Sequence, residues 1–151
     1  MPNNMIMRRQ QRGIALLEAM IATVILAIGL LGTIGLQARA YSAMNEASMR
    51  AEATIASEKL FGLMSTDVAN LSSYAMTAGS TPNAVLANWV NEVKGVGTTK
   101  GTIPGATISV AVAANSGGTG STAVTVKISW TRKAGGPANT NTMTSYLSGS
   151  R

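Results

Sequence analysis

Arg12-Gly13-Ile14-Ala15-Leu16-Leu17-Glu18, with the apolar run that continues from it to Leu36, decides how this chain is organised. As a helix, Ile14 to Leu36 is about 23 residues and roughly 34 Å long, enough to cross a hydrocarbon core of about 30 Å. The segment is therefore read as a membrane anchor. Ahead of it, Arg8, Arg9 and Arg12 stand without an acid, so the positive-inside rule puts the N-terminus in the cytoplasm and the rest of the chain across the membrane. The single acid in the run, Glu18, needs a reason: at a membrane helix centre an acid costs about 2.5–3.5 kcal/mol, and less near an end.

The apolar pattern does not stop at Leu36. Leu36, Ala40, Met44, Ala47, Ala51 and Ile55 recur at helical spacing, with Arg39, Glu46, Arg50, Glu52 and Lys59 on other faces. No proline lies between Gly13 and Pro82, and Glu46 precedes Arg50 by four residues, the favourable order for an ion pair. The spacing predicts one helix from the membrane to about Met64 or beyond, some 75 Å long, which needs outside partners to be stable. Gly29, Gly32 and Gly35 fall at three-residue steps inside the anchor, where small residues allow close helix packing and also soften the helix.

Past a loop near Thr77 to Thr81, Pro82 to Val93 reads as a short amphipathic helix with Val85, Leu86, Trp89, Val90 and Val93 on one face. Trp89 is expected in the core, pinning this helix to a sheet. Ala106 to Ala113, Ala123 to Thr131 and Thr142 to Leu147 then alternate apolar residues with Ser and Thr, and predict three antiparallel strands. In the second, Val124, Val126, Ile128 and Trp130 should face the core and Thr125, Lys127, Ser129 and Thr131 the solvent. Asn115-Ser116-Gly117-Gly118 and Ala134-Gly135-Gly136-Pro137 read as the turns. The fold class is α+β: a long N-terminal helix, anchor plus stalk, on a small antiparallel sheet head. The domains are 1–13 as leader, 14–36 as membrane part, 37–70 as stalk and 71–151 as head.

Composition narrows function. The 151 residues include no Cys and no His, which removes disulfides, thiolate metal sites and the commonest general base. No paired carboxylates or nucleophile–base set occurs in the head, so neither catalysis nor a cofactor nor a metal is expected. The net charge of +6 is uneven: residues 14–93 balance at −3, whereas residues 94–151 hold Lys94, Lys100, Lys127, Arg132, Lys133 and Arg151 with no acid. A basic head beside an acidic stalk suits packing between subunits or contact with an anionic polymer. Lys127, Arg132 and Lys133 near Trp130 form the candidate basic patch for a surface or nucleic acid, though Trp130 alternates with the core face.

Ala38-Arg39-Ala40 also satisfies a secretory cleavage rule, but the apolar region ahead of it is too long for a secretory signal and contains a charge. The stretch Arg12 to Glu18 instead resembles the class III signal of type IV prepilins: a basic leader, Gly, an apolar residue, three more, then Glu. The resemblance implies cleavage between Gly13 and Ile14 by a prepilin peptidase, which also methylates the new amine of Ile14. It further implies that Glu18 pairs with the N-terminal amine of a neighbouring subunit, relieving the acid in hydrocarbon. The segment Leu26 to Gln37, the Trp89 helix, the strand ending Ile128-Ser129-Trp130 and the Thr-rich strand through Tyr146 are similar to minor pilins. Ile14 in place of the common Phe, Gly35 where major pilins often have Pro, and the absence of Cys point the same way. The partners this implies are the prepilin peptidase, other minor pilins, the major pilin and the inner-membrane assembly machinery. The implied location is the inner membrane with a periplasmic head, then the pilus surface. A type II secretion pseudopilin shares the leader, acid and stalk.

Overall fold

The computed structural model describes residues 11–113, 120–132 and 135–148, with side chains from Gly13 onward. The leader arginines Arg8 and Arg9, the turn Asn115 to Gly118, Lys133, Ala134 and Arg151 lie outside the described residues, as does the Arg12 side chain. The first element is one α-helix, α1, Gln11–Thr66. Two compact units divide the chain, Met1–Asn45 and Glu46–Arg151.

In the first unit α1 is apolar on every side and buries nothing: Ile14 to Leu36 stay exposed, with Leu31 and Leu36 at 69%. A helix hydrophobic all round belongs in a membrane or a large core, and this one has no core of its own. It is the one described helix long and apolar enough to cross a membrane, by length and composition. The two threonines between Ile14 and Leu36 are satisfied locally: Thr23 and Thr33 donate to the carbonyls of Met20 and Leu30 at 2.8 Å. α1 runs through Gly29, Gly32 and Gly35 without a break, and a Cβ at any of them would meet nothing within 4 Å.

The second unit is an α+β head in the type IV pilin-like arrangement. The C-terminal part of α1 is followed by a 3-10 helix, Val68–Tyr74, and by α2, Ala84–Lys94. Five strands come next: β1 Gly95–Val96, β2 Thr99–Lys100, β3 Thr107–Ala113, β4 Thr122–Trp130 and β5 Asn139–Leu147. β1 and β2 form a two-stranded hairpin, and β3-β4-β5 form an antiparallel sheet. β3 and β4 fall where alternation put them to within a residue, while β5 starts at Asn139, three residues ahead of the expected Thr142. The short hairpin has no alternation to announce it; Gly95 at φ 85° and the tight approach of Gly101 to the backbone of Lys94 and Gly95 make it. Ile103 N–H then donates to Val93 O at 2.8 Å, tying the chain after the hairpin to the end of α2.

One core joins α1, α2 and the sheet: Ala53, Leu60 and Met64 from α1, Leu86, Trp89, Val90 and Val93 from α2, and Val124, Val126, Ile128 and Trp130 from β4. The stripe Ala47, Ala51, Ile55 is not the face α1 buries. Those residues are exposed, Ile55 at 58%, and the buried face is Ala53, Ala56, Ser57, Leu60 and Met64. Ser57 is tolerated at full burial by donating to Ala53 O at 2.8 Å.

α2 also starts later than its sequence suggested. Asn83, not Pro82, caps it, its side chain accepting from Leu86 N–H at 3.1 Å and donating to Ser73 O. Val85 stands 48% exposed and leaves the apolar face to Leu86, Trp89, Val90 and Val93. Trp89 is in the core as expected, but its polar anchor is the stalk helix: Nε1 donates to Ala56 O at 2.9 Å. Lys59 of α1 reinforces this contact by donating to both carboxylate oxygens of Glu92 on α2, at 2.7 Å to Oε1.

Candidate functional site

The chemistry of this chain concentrates at the start of α1. Gly13 and Ile14 lie in regular helix, and neither is buried: no atom stands within 4 Å of a Cβ built on Gly13, and Ile14 is 69% exposed. Four residues on, Glu18 shares a helix face with Ile14, flanked by Leu17, Ile21, Ala22 and Ile25. The carboxylate therefore stands in an apolar surround, one turn from the residue that the implied cleavage turns into an N-terminus. Among the described residues Glu18 has no ion-pair partner, and an acid so placed in hydrocarbon needs a cation from elsewhere.

The small-residue set Gly29, Gly32 and Gly35 lies along the same exposed helix and leaves room for another helix to come close.

The basic residues of the head do not share one environment. Lys127 projects from the open face of β4, opposite Ser109 and Thr142. Arg132 lies beyond the end of β4, and its charge acts on Glu46 of α1. The Glu46 carboxyl is held below the usual carboxylate range chiefly by its hydrogen bond with Arg50, at 2.7 Å, with the charges of Arg50 and Arg132 adding to it. Trp130, which would supply the aromatic of a nucleic-acid site, is 2% exposed on the core face.

Three features of the head go unnoticed in the sequence reading, and only the first, an Asn three residues ahead of Leu86, leaves a local signal there. The Asn83 cap is one, the Lys59–Glu92 clasp another. The third is Tyr74, buried with its hydroxyl donating to Asp67 at 3.2 Å; burial first, and the neighbouring carboxylate second, hold that hydroxyl above its ordinary range. Among the described residues no three His, Cys, Asp or Glu gather where they could hold a metal ion.

Residues 8–34 match the family described as the prokaryotic N-terminal methylation motif. No curated protein and no solved structure matches the chain. The matched segment contains Gly13, Ile14 and Glu18 and extends through most of the exposed apolar part of α1. The methylation motif, the apolar helix that carries it and the α+β head together support a type IV pilin-like prepilin.

Proposed function

We propose that this chain is a minor type IV pilin, of the kind of the pilus modification protein PilV, that takes part in starting, assembling or modifying the pilus. The observation that carries the reading is the matched methylation motif on a helix whose apolar stretch, Ile14 to Leu36, stays exposed among the described residues. Prepilin peptidase cuts between Gly13 and Ile14 and the amine of Ile14 is methylated. The chain waits in the inner membrane with its N-terminus cytoplasmic and its head periplasmic. On assembly, the exposed side of α1 packs against other pilin helices, and Glu18 meets the amine of a neighbour. The head supplies no reaction; it presents a surface.

The test is the intact mass and N-terminal sequence of the protein taken from membranes and from sheared surface filaments. A methylated start at Ile14 is expected. A start at Tyr41, after Ala38-Arg39-Ala40, would mean ordinary secretion and would end the pilin reading. Glu18→Ala is expected to leave cleavage intact and to reduce recovery in filaments; unchanged recovery would show that the charge pair is dispensable. Recovery of the wild-type chain in a secretion complex instead of a pilus would move it to the type II pseudopilins.

A further inference from the structure

The two edges of the head sheet differ. On one side, Met76 N–H donates to Val110 O at 2.9 Å and Val110 N–H donates to Met76 O at 2.8 Å, so both backbone groups of Val110 turn away from β4. Backbone direction alternates along an antiparallel strand. Across the sheet, Val126 must then exchange its bonds with its partner Met143, and in β5 it is Asn139, Asn141, Met143, Ser145 and Leu147 that turn toward β4. Thr140, Thr142, Thr144 and Tyr146 turn their N–H and C=O groups outward. The 3.0 Å contact between the hydroxyls of Thr125 and Thr144 agrees, because side chains lie closest in pairs that do not exchange backbone bonds. No strand pairs with that outer edge among the described residues. β5 also carries none of the usual guards: its nine residues include no Lys, Arg, Asp, Glu, Pro or Gly.

We propose that the outer edge of β5 is a docking edge that takes up an extended, acidic segment of a different filament subunit as a fourth strand. This rests on the pilin reading above. A second copy of this chain does not fit. Two β5 edges paired antiparallel with faces matched are related by a two-fold axis normal to the sheet, which reverses residues 46–66 between the copies, whereas subunits anchored in one membrane run the same way. Pairing β5 with the β3 edge of a copy meets Met76, already bonded to Val110. The charge of the segment follows from its setting. Residues 94–151 hold six basic residues and no acid, and Lys127 stands exposed in the row Ser109–Lys127–Thr142 that an added strand extends. Main-chain bonds to the four outward residues supply the attachment, and an acid beside Thr142 sets the register against Lys127.

The experiment uses the full-length processed chain, extracted from membranes and filaments in detergent. Thr144→Pro removes an outward N–H and none that β4 uses, whereas Met143→Pro removes one that pairs with Val126. Thr144→Pro is expected to melt like the wild type as an isolated subunit but to fall by about tenfold or more in recovered multi-subunit complexes. Met143→Pro should melt lower, and Lys127→Glu should weaken recovery without lowering the melting temperature. In the wild type, amide exchange at Thr140, Thr142, Thr144 and Tyr146 should slow by about tenfold or more on assembly. Equal exchange in subunit and complex, or full recovery of Thr144→Pro in complexes, overturns the docking edge alone. If Thr144→Pro melts low, the exchange measurement decides. A wild-type chain with the Ile14 start that is recovered only as a lone subunit overturns both the edge and the pilin reading.

Discussion

One helix meets two different fates in this protein. Between Ile14 and Leu36 α1 is apolar on all sides and buries no residue, while between Glu46 and Thr66 it is mixed in character and buries Ala53, Ala56, Ser57, Leu60 and Met64 completely or nearly so. The first stretch depends on a solvent that the chain does not supply, bilayer or neighbouring helices. The second is finished by its own sheet and by α2. Hydrophobicity along a helix is therefore a poor guide to where its own chain folds against it; the less apolar half is the one with the core.

That contrast can be broken at several points. The largest effect is expected at the junction: Gly13→Trp should abolish maturation and leave an unprocessed membrane protein, read by intact mass, with the melting of the head unchanged. Normal processing of that variant would contradict the leader assignment. Next, Leu60→Ala should destabilise the head by about 2–5 kcal/mol, the cost of a cavity in a packed core. Leu31→Ala, on the exposed half of the same helix, should leave the thermal unfolding of the head where it was. Equal effects of the two would erase the distinction between the halves.

A smaller change tests what joins α2 to the stalk helix. Trp89→Phe keeps most of the ring but removes the donor to Ala56 O, and should cost about 0.5–1.5 kcal/mol, the net worth of one hydrogen bond, because the Ala56 carbonyl keeps its bond within α1. The smallest effect belongs to the surface pair at the start of the head segment. Glu46 is held below the usual carboxylate range by Arg50, so its contribution is present above the ordinary glutamate range and fades as pH falls through the lowered value. Glu46→Gln should remove that acid-side dependence from the unfolding profile and change little at neutral pH.

How much of this could be read in advance differed by element. The strands β3 and β4 were legible because alternation over seven to nine residues reflects a sheet with one buried face, whereas β5 was legible only from Thr142, since Asn139-Thr140-Asn141 holds no apolar residue. The helical face of 46–66 was not: Ala47, Ala51 and Ile55 make as good a stripe as Ala53, Leu60 and Met64, and helical period alone does not say which stripe meets the sheet. Asn83 as the cap of α2 is local, an Asn three residues ahead of Leu86, whereas Ala56 O as the partner of Trp89 depends on where loops bring distant residues together. The pair Lys59–Glu92 spans 33 positions, which no local pattern reports.

By itself, then, the amino-acid sequence determined a helix long and apolar enough to span a bilayer, the methylation-type motif with Gly13, Ile14 and the lone Glu18, and most of the three long strands. Each rests on local order: an apolar run against bilayer thickness, residue spacing in a signal, or period-two alternation. The tertiary structure alone decided which face of α1 is buried, that α2 hangs on the stalk helix through Trp89, and that Met76 closes one edge of the sheet while the other stays open. These depend on which surfaces meet, and contact between residues far apart in the chain is set by packing and by the pairing of backbone groups.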